Sequence, residues 1–308
     1  MDQQIRHTRS LLTAGDALTI LFLALLSCIN LIFLGRIPQW WILILVNAAV
    51  VACIVWLAVH AAGPSRMIRF IHSWYAVLII IFVFKEIYFM NRAIHFNRDY
   101  DPLLIAADRA LFGVNPTWWL DSFAFPLLTE ILQLAYASYY FLMIFLGYEL
   151  YREHRMKDFS FAVFCIFYGF YLSYLGYLML PSIGPRFTLH DFQTMNTDLP
   201  GLWLTPFIRE AINFGESIPL HTTNAVDFVQ RDVFPSGHTQ MTLIVMYLAV
   251  RYRIRFRMPL IAIGTLLIIS TVYLRYHYVV DLIAGALFML FTIWTAPKLF
   301  SWWNDNRT

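Results

Sequence analysis

Eight apolar runs set the pattern of the chain, roughly at 17–35, 40–62, 70–90, 127–150, 159–180, 237–251, 258–276 and 279–299, with short charged or Pro/Gly-bearing connections between them. Runs of this length are what a helix needs to cross hydrocarbon. The last three follow one another most tightly. The pattern predicts an all-α, polytopic transmembrane bundle of about eight spans. Basic residues support the count, because retained Lys and Arg should fall on alternate, cytoplasmic sides. Arg6 and Arg9, then Arg66 and Arg69, then Arg152, Arg155 and Lys157, then Arg251, Arg253, Arg255 and Arg257 all fall on one side, together with the C-terminus. Both termini are therefore expected in the cytoplasm. Two long connections, about 91–126 and 181–236, are expected on the opposite side.

Those outer loops are rich in Trp, Phe and Leu and do not read as disordered. The stretch "DPLLIAADRALFGVNPTWWLDSFAFP" (101–126) suits short helices lying in the interface, with Trp118 and Trp119 at headgroup level. No internal repeat or low-complexity segment is visible.

Composition agrees with the pattern and narrows the partners. Of 308 residues, 60% are hydrophobic and only 13% charged, which a water-soluble domain of this length does not carry. The net charge of +3 is spread between apolar runs without a basic stripe, so nucleic acid is not an expected partner. Lipid is. Cys28, Cys53 and Cys165 lie inside apolar runs without metal-like spacing and are read as packing residues. The first apolar run follows Arg6 and Arg9 but is long and lacks a small-residue cleavage site, so it is read as a retained span and not a secretory signal.

Three stretches on the outer side hold polar residues that a bilayer normally excludes: "PSIGPRF" (181–187), "FPSGHTQ" (234–240) and "STVYLRYHYVVDLIAG" (270–285). Their shared side predicts one site. His277 and Asp281, four apart at a helix start, should share a face, the carboxylate orienting one ring nitrogen and the other acting as nucleophile. The Ser236 and Gly237 amides, at a helix N-terminus, suit a phosphate. His238 beside them is placed to protonate a leaving oxygen and then to deprotonate an incoming water or alcohol. Arg186 and Arg275 offer planar forks to the remaining phosphate oxygens. No compact metal-ligand set is visible and no cofactor is expected.

The run P-S-G-H at Pro235 to His238, followed by Y-x-x-x-H-Y-x-x-D, resembles the type 2 phosphatidic acid phosphatase (PAP2) superfamily, whose members work through a phosphohistidine without metal. The third family motif matches at Ser270, His277 and Asp281, but Thr271 stands at its arginine; Arg275, one turn later, is the expected substitute. In the first motif Arg186 matches, while Met179 stands at the lysine and Phe187 at the final proline. With "DRALFG" (108–113) and two extra N-terminal spans, the pattern is similar to the branch that includes inositol phosphorylceramide synthase-like phosphotransferases. The resemblance implies a six-helix PAP2-like core with two accessory helices. The expected division is an N-terminal cytoplasmic segment with the accessory helices (1–69), a catalytic membrane domain (70–300) and a cytoplasmic tail (301–308).

The expected activity is a lipid phosphatase that hydrolyses a phosphomonoester or pyrophosphate at the non-cytoplasmic face. A phosphotransferase passing a phospho-headgroup to a second lipid alcohol, and a non-catalytic lipid-binding or transport protein, are the alternatives. The lipid and the oligomeric state stay open; a bacterial inner membrane with a periplasm-facing site is the expected setting. Lys85 and Glu86, adjacent near the outer end of the third run, are read first as pairing structurally with other polar residues, with Lys85 the candidate replacement for the missing motif lysine. Glu130 and Gln133 are weaker candidates of the same kind, and Tyr136, Tyr139 and Tyr140 are read as packing residues.

Overall fold

The computed structural model describes residues 11–220 and 222–306, and these are all-helical, without strands. Thirteen helices are labelled here in chain order: α1 Ala14–Ile32, α2 Trp40–Ala61, α3 Arg66–Trp74, α4 Ala76–Ile94, α5 Asp101–Phe112, α6 Pro116–Asp121, α7 Pro126–Ala137, α8 Tyr139–Arg152, α9 Met156–Met179, α10 Thr205–Gly215, α11 Gly237–Arg251, α12 Arg257–Tyr273 and α13 Val279–Asn306. One-turn helices at Pro185–Thr188 and Met195–Asp198 punctuate the long connection before α11. Arg6 and Arg9, two of the residues behind the expected topology, lie outside the described residues.

Helix starts follow local chemistry. Thr13 and Asp16 form a reciprocal capping box at α1, and the Ser236 hydroxyl accepts the Thr239 amide at the start of α11. Prolines occupy the first turns of α5, α6, α7 and α10, where their missing N–H costs no helical bond.

Four helices are long and apolar enough to cross a membrane: α1, α2, α9 and α13. The count rises to six if α3 with α4, bent by 41°, and α7 with α8, bent by 50°, each form one span. The other two expected spans, α11 and α12, are only 15 and 17 residues long, and of these α12 is an apolar helix. The last apolar run continues as helix to Asn306, so most of the expected tail is part of α13.

Of the four long helices, α9 is the central one, with 67% of its apolar window buried against 22% for α2 and for α13. It contacts α1, α4, α8, α11 and α13. Its aromatic face meets α1 through Tyr171, which stacks on Phe22 at 4.3 Å and shares a 2.9 Å hydrogen bond with Thr19. Cys165 packs in this core as expected, whereas Cys28 and Cys53 lie on exposed faces.

The accessory pair α1 and α2 joins α4 through buried polar groups. Glu86 Oε1 accepts from Asn30 at 3.2 Å and from Asn47 at 2.8 Å. Glu86 therefore pairs structurally with other polar residues, as expected.

The outer connections form a layer of short helices over one end of the bundle. α6 leaves Trp118 and Trp119 exposed, and α10 with its approach leaves Trp203, Phe207 and Phe214 exposed. α7 packs on both α12 and α10, and α5 packs on the start of α13. This layer holds the three motif stretches together.

Candidate active site

The P-S-G-H turn is fixed from three sides before any catalytic group is considered. The Ser236 amide donates to the Asp281 carbonyl at 3.0 Å, tying the start of α11 to the first turn of α13. A Cβ at Gly285 would lie 2.5 Å from the Ser236 carbonyl, and one at Gly237 would lie 2.3 Å from the Tyr177 hydroxyl. Close approach of α13 and α9 therefore requires glycine at both positions. The expectation of two free amides at this turn is corrected: the Ser236 N–H is taken by Asp281, and Ser236 acts as the N-cap.

His238, projecting from this turn, is flanked by Tyr136 with ring centroids 4.5 Å apart and by Tyr139 at 4.2 Å. Two tyrosines read as packing residues thus set the orientation of the imidazole. Tyr139 also donates to the Gly237 carbonyl at 3.2 Å.

His277 lies in the turn before α13, not on the helix itself, because the helix begins at Val279. Its Nδ1 is 3.0 Å from the Val233 carbonyl, an acceptor only, so Nδ1 carries the hydrogen and Nε2 is left with its lone pair. Nε2 faces His238 Nδ1 at 3.5 Å. Burial, and then the neighbouring His238, hold His277 well below the ordinary imidazole range. It is neutral near pH 7, the form a nucleophile needs.

Asp281 is brought to His277, but differently from expectation. Its Oδ2 accepts the Tyr278 amide at 2.8 Å and stands 3.5 Å from His277 Nδ1. The Val233 carbonyl, which the motif does not include, takes the hydrogen bond assigned to this carboxylate. The reason is the helix boundary: at the third position of α13, Asp281 caps an amide left open by the helix start.

Two carboxylates of α5 complete this frame. Asp101 accepts the Ile183 amide at 3.0 Å, the Gly184 amide at 2.8 Å and the Tyr278 hydroxyl at 2.8 Å. Asp108 accepts the Val279 and Val280 amides at 2.9 and 2.8 Å. Asp101 therefore locks the first and third motif stretches to each other, and Asp108 of the "DRALFG" stretch holds the third.

Arg186 is buried and reaches the site. Its guanidinium pairs with the Glu216 carboxylate, donates to Asn213 Oδ1 at 3.1 Å and lies 4.6 Å from the Tyr276 ring centroid. Arg275 is not brought there. At φ +65° its side chain turns outward, donating to Asp198 at 2.9 Å and to Asp121 at 2.9 and 3.2 Å. Its place in the site is taken by its carbonyl, which accepts the Arg186 amide at 2.9 Å. Lys85 lies near the site on the wall of an adjoining chamber, donating to the Gly215 carbonyl at 2.6 Å and the Ser217 hydroxyl at 2.7 Å. Glu130 instead caps α10, accepting the Leu204 amide at 2.6 Å and the Thr205 hydroxyl at 2.7 Å, and Gln133 accepts from Arg209 at 3.3 Å.

His238, His277 and Arg186 line one small cavity with Glu216, Asp232 and Tyr276. It adjoins a mainly apolar chamber of about 480 Å³ between α4, α8, α9 and α10, which shares Tyr136, Glu216, Asp232 and His238. Glu216 and Asp232 were missed from sequence; the only signal was their charge in a connection otherwise rich in apolar residues.

The site thus sets a buried neutral histidine against a second histidine, with an arginine fork and a mainly apolar chamber alongside. The sequence profile described as the PAP2 superfamily matches residues 102–295, which include every motif residue, and the chain belongs to that superfamily. A Dictyostelium discoideum protein named as a PA-phosphatase related-family protein is 27% identical over 183 residues, covering 54% of this chain and 31% of that relative. The matched part is thus about a third of that curated relative's length. No solved structure matches.

Proposed function

We propose that the protein is an integral membrane lipid phosphatase acting through a phosphohistidine. The observation that carries this reading is the placement of His277 Nε2, 3.5 Å from His238 Nδ1, in a cavity also lined by Arg186. His277 Nε2 attacks phosphorus; an N–P bond forms as the bond to the leaving oxygen breaks, and His238 supplies the proton to that oxygen. Arg186 balances the charge that develops on the phosphoryl oxygens. Asp281, buried beside Nδ1, stabilises the cationic imidazole of the intermediate. Water then attacks phosphorus, gives its proton to His238 and releases His277 with phosphate. The distribution of the arginines supports a site on the non-cytoplasmic face.

The mainly apolar chamber favours a second reading, transfer of the phosphoryl-bearing group to a lipid alcohol, because Phe84, Tyr140, Phe170 and Tyr174 line a space suited to an acyl chain. One experiment separates the two. Purified protein in mixed micelles is given lipid phosphates with EDTA, with and without diacylglycerol or ceramide, alongside His277→Ala. Phosphate released without acceptor, and lost in the variant, supports the phosphatase. A new phospholipid formed only with acceptor supports the transferase. Activity that survives in His277→Ala overturns both.

A further inference from the structure

The apolar chamber continues beyond what the phosphoryl chemistry requires. Tyr140 on α8 and Phe170 on α9 line it and also line a second apolar space, a groove between α4 and α8 backed by α9. Val77, Ile80, Met143, Ile144, Ala162 and Ile166 form its walls. Ser73 also borders it, but its hydroxyl is spent on the Arg69 carbonyl at 2.8 Å. At the far end stand Trp74 and Phe159, with ring centroids 5.5 Å apart, and Gly147, where a Cβ would lie 3.3 Å from the Trp74 ring. That packed end closes the groove.

The two spaces together have a definite length. Tyr177 in the chamber and Phe159 at the groove end are eighteen residues apart on the single helix α9, about 27 Å of helix rise. Half of a hydrocarbon core is about 15 Å. The path is therefore longer than a chain confined to one leaflet needs. The groove is also narrow, about 50 Å³ against about 480 Å³ for the chamber, so it takes one chain and not two. Among the described residues no charged side chain lines it, which leaves a headgroup no partner there.

We propose that chamber and groove form one seat for a single hydrocarbon chain longer than a leaflet, making the protein selective for lipid phosphates that carry such a chain. This inference rests on the proposed function, which places phosphorus at His277. The occupant follows from continuity, since the groove opens into the chamber that His238 lines. Lipid tails are as apolar as the groove, so the preference arises from close packing along the chain and not from its removal from water.

Occupancy is tested on the full chain as His277→Ala in detergent, with tetracosyl phosphate carrying a diazirine on its last carbon. Illumination and peptide mapping are expected to place the label at Trp74, Gly147 or Phe159. An excess of octyl phosphate, too short to reach the groove, is expected to remove most of it, and octanol is not. Label that resists octyl phosphate, or that never reaches the groove end, overturns the proposal, because the groove then holds bulk lipid or nothing. Selectivity is tested by turnover. Wild type is expected to favour tetracosyl over octyl phosphate by about tenfold in kcat/KM. A ring placed in the groove by Val77→Phe or by Ile144→Phe is expected to lower that ratio about tenfold, with the short chain as internal reference. Leu78→Phe, at an exposed neighbouring position, is expected to leave the ratio within about twofold. Wild-type turnover indifferent to chain length, or a ratio unchanged by both groove substitutions, removes the seat and leaves the catalytic reading intact. Label at the groove end that octyl phosphate removes, without turnover of either lipid, keeps the seat and removes the catalytic reading.

Discussion

Asp281 stands 3.5 Å from His277 Nδ1 while the same carboxylate oxygen accepts the Tyr278 amide at 2.8 Å. On the proposed mechanism the aspartate acts on the histidine through its charge, while the Val233 carbonyl sets the tautomer. Asn at this position keeps an acceptor for Tyr278 and removes the charge. Asp281→Asn is expected to fold normally, to retain KM within about threefold, and to lower kcat by roughly a hundredfold or more. Steady-state kinetics with alkaline-quench trapping of the phosphohistidine checks this; unchanged kcat removes Asp281 from the electrostatics of the reaction.

Gly237 and Tyr177 give a steric test of the P-S-G-H turn. A Cβ at position 237 would sit 2.3 Å from the Tyr177 hydroxyl and 3.6 Å from the ring carbon that bears it. Gly237→Ala is expected to destabilise the protein by about 1–3 kcal/mol through overpacking. Tyr177→Phe removes the clashing oxygen and is expected to restore most of that loss in the double variant. A melting-temperature cycle over the four proteins checks it, and additive losses would show that the contact is not the cause.

Arg275 was expected in the site from its spacing and is found in an outer ion-pair cluster with Asp121 and Asp198. Its guanidinium is buried, whereas both carboxylates are about a third exposed. Arg275→Lys is expected to cost about 1–2 kcal/mol of stability by losing the fork, after discounting for solvent screening. Turnover per folded molecule should stay within about threefold. Urea denaturation paired with activity per active site decides, and a hundredfold fall in kcat at unchanged stability would return Arg275 to the chemistry.

What the sequence disclosed and what it hid differ by physical scale. His238, His277 and Asp281 were legible because each belongs to a short motif at a helix start, where local spacing carries the geometry. Arg275 misled because a positive φ reverses the direction that helical spacing implies. Helix breaks were hidden for a related reason: hydropathy does not register a bend. The run 127–150 divides at Ser138, whose hydroxyl donates to the Ala135 carbonyl at 2.6 Å, and the axis turns by 50°. The run beginning near residue 70 divides at Tyr75, whose hydroxyl donates to Asp16 at 2.6 Å. Glu216 and Asp232 were illegible because they meet His277 only through packing of separate segments, and a single acid in a connection is ordinarily solvated.

Asp232 supplies the pH test. Burial, reinforced by the negative charge of Glu216, pushes its carboxyl from the usual carboxylate range up to about 7, with Arg186 and Lys85 opposing. His238 and His277 line the same cavity. For an acid whose folded pKa is raised, the stabilising contribution is fully present below the unfolded value near 3.8 and is lost as pH rises through about 7. Asp232→Asn removes this titration. The melting temperature of wild type is therefore expected to fall relative to Asp232→Asn between about pH 4 and 7, with a constant difference above pH 8. Thermal melts at matched ionic strength from pH 4 to 9 check the sign. A difference that runs the other way, with wild type gaining on the variant as pH rises, would mean that Asp232 is held charged by Arg186 and Lys85, and that attraction to these cations outweighs burial and repulsion from Glu216.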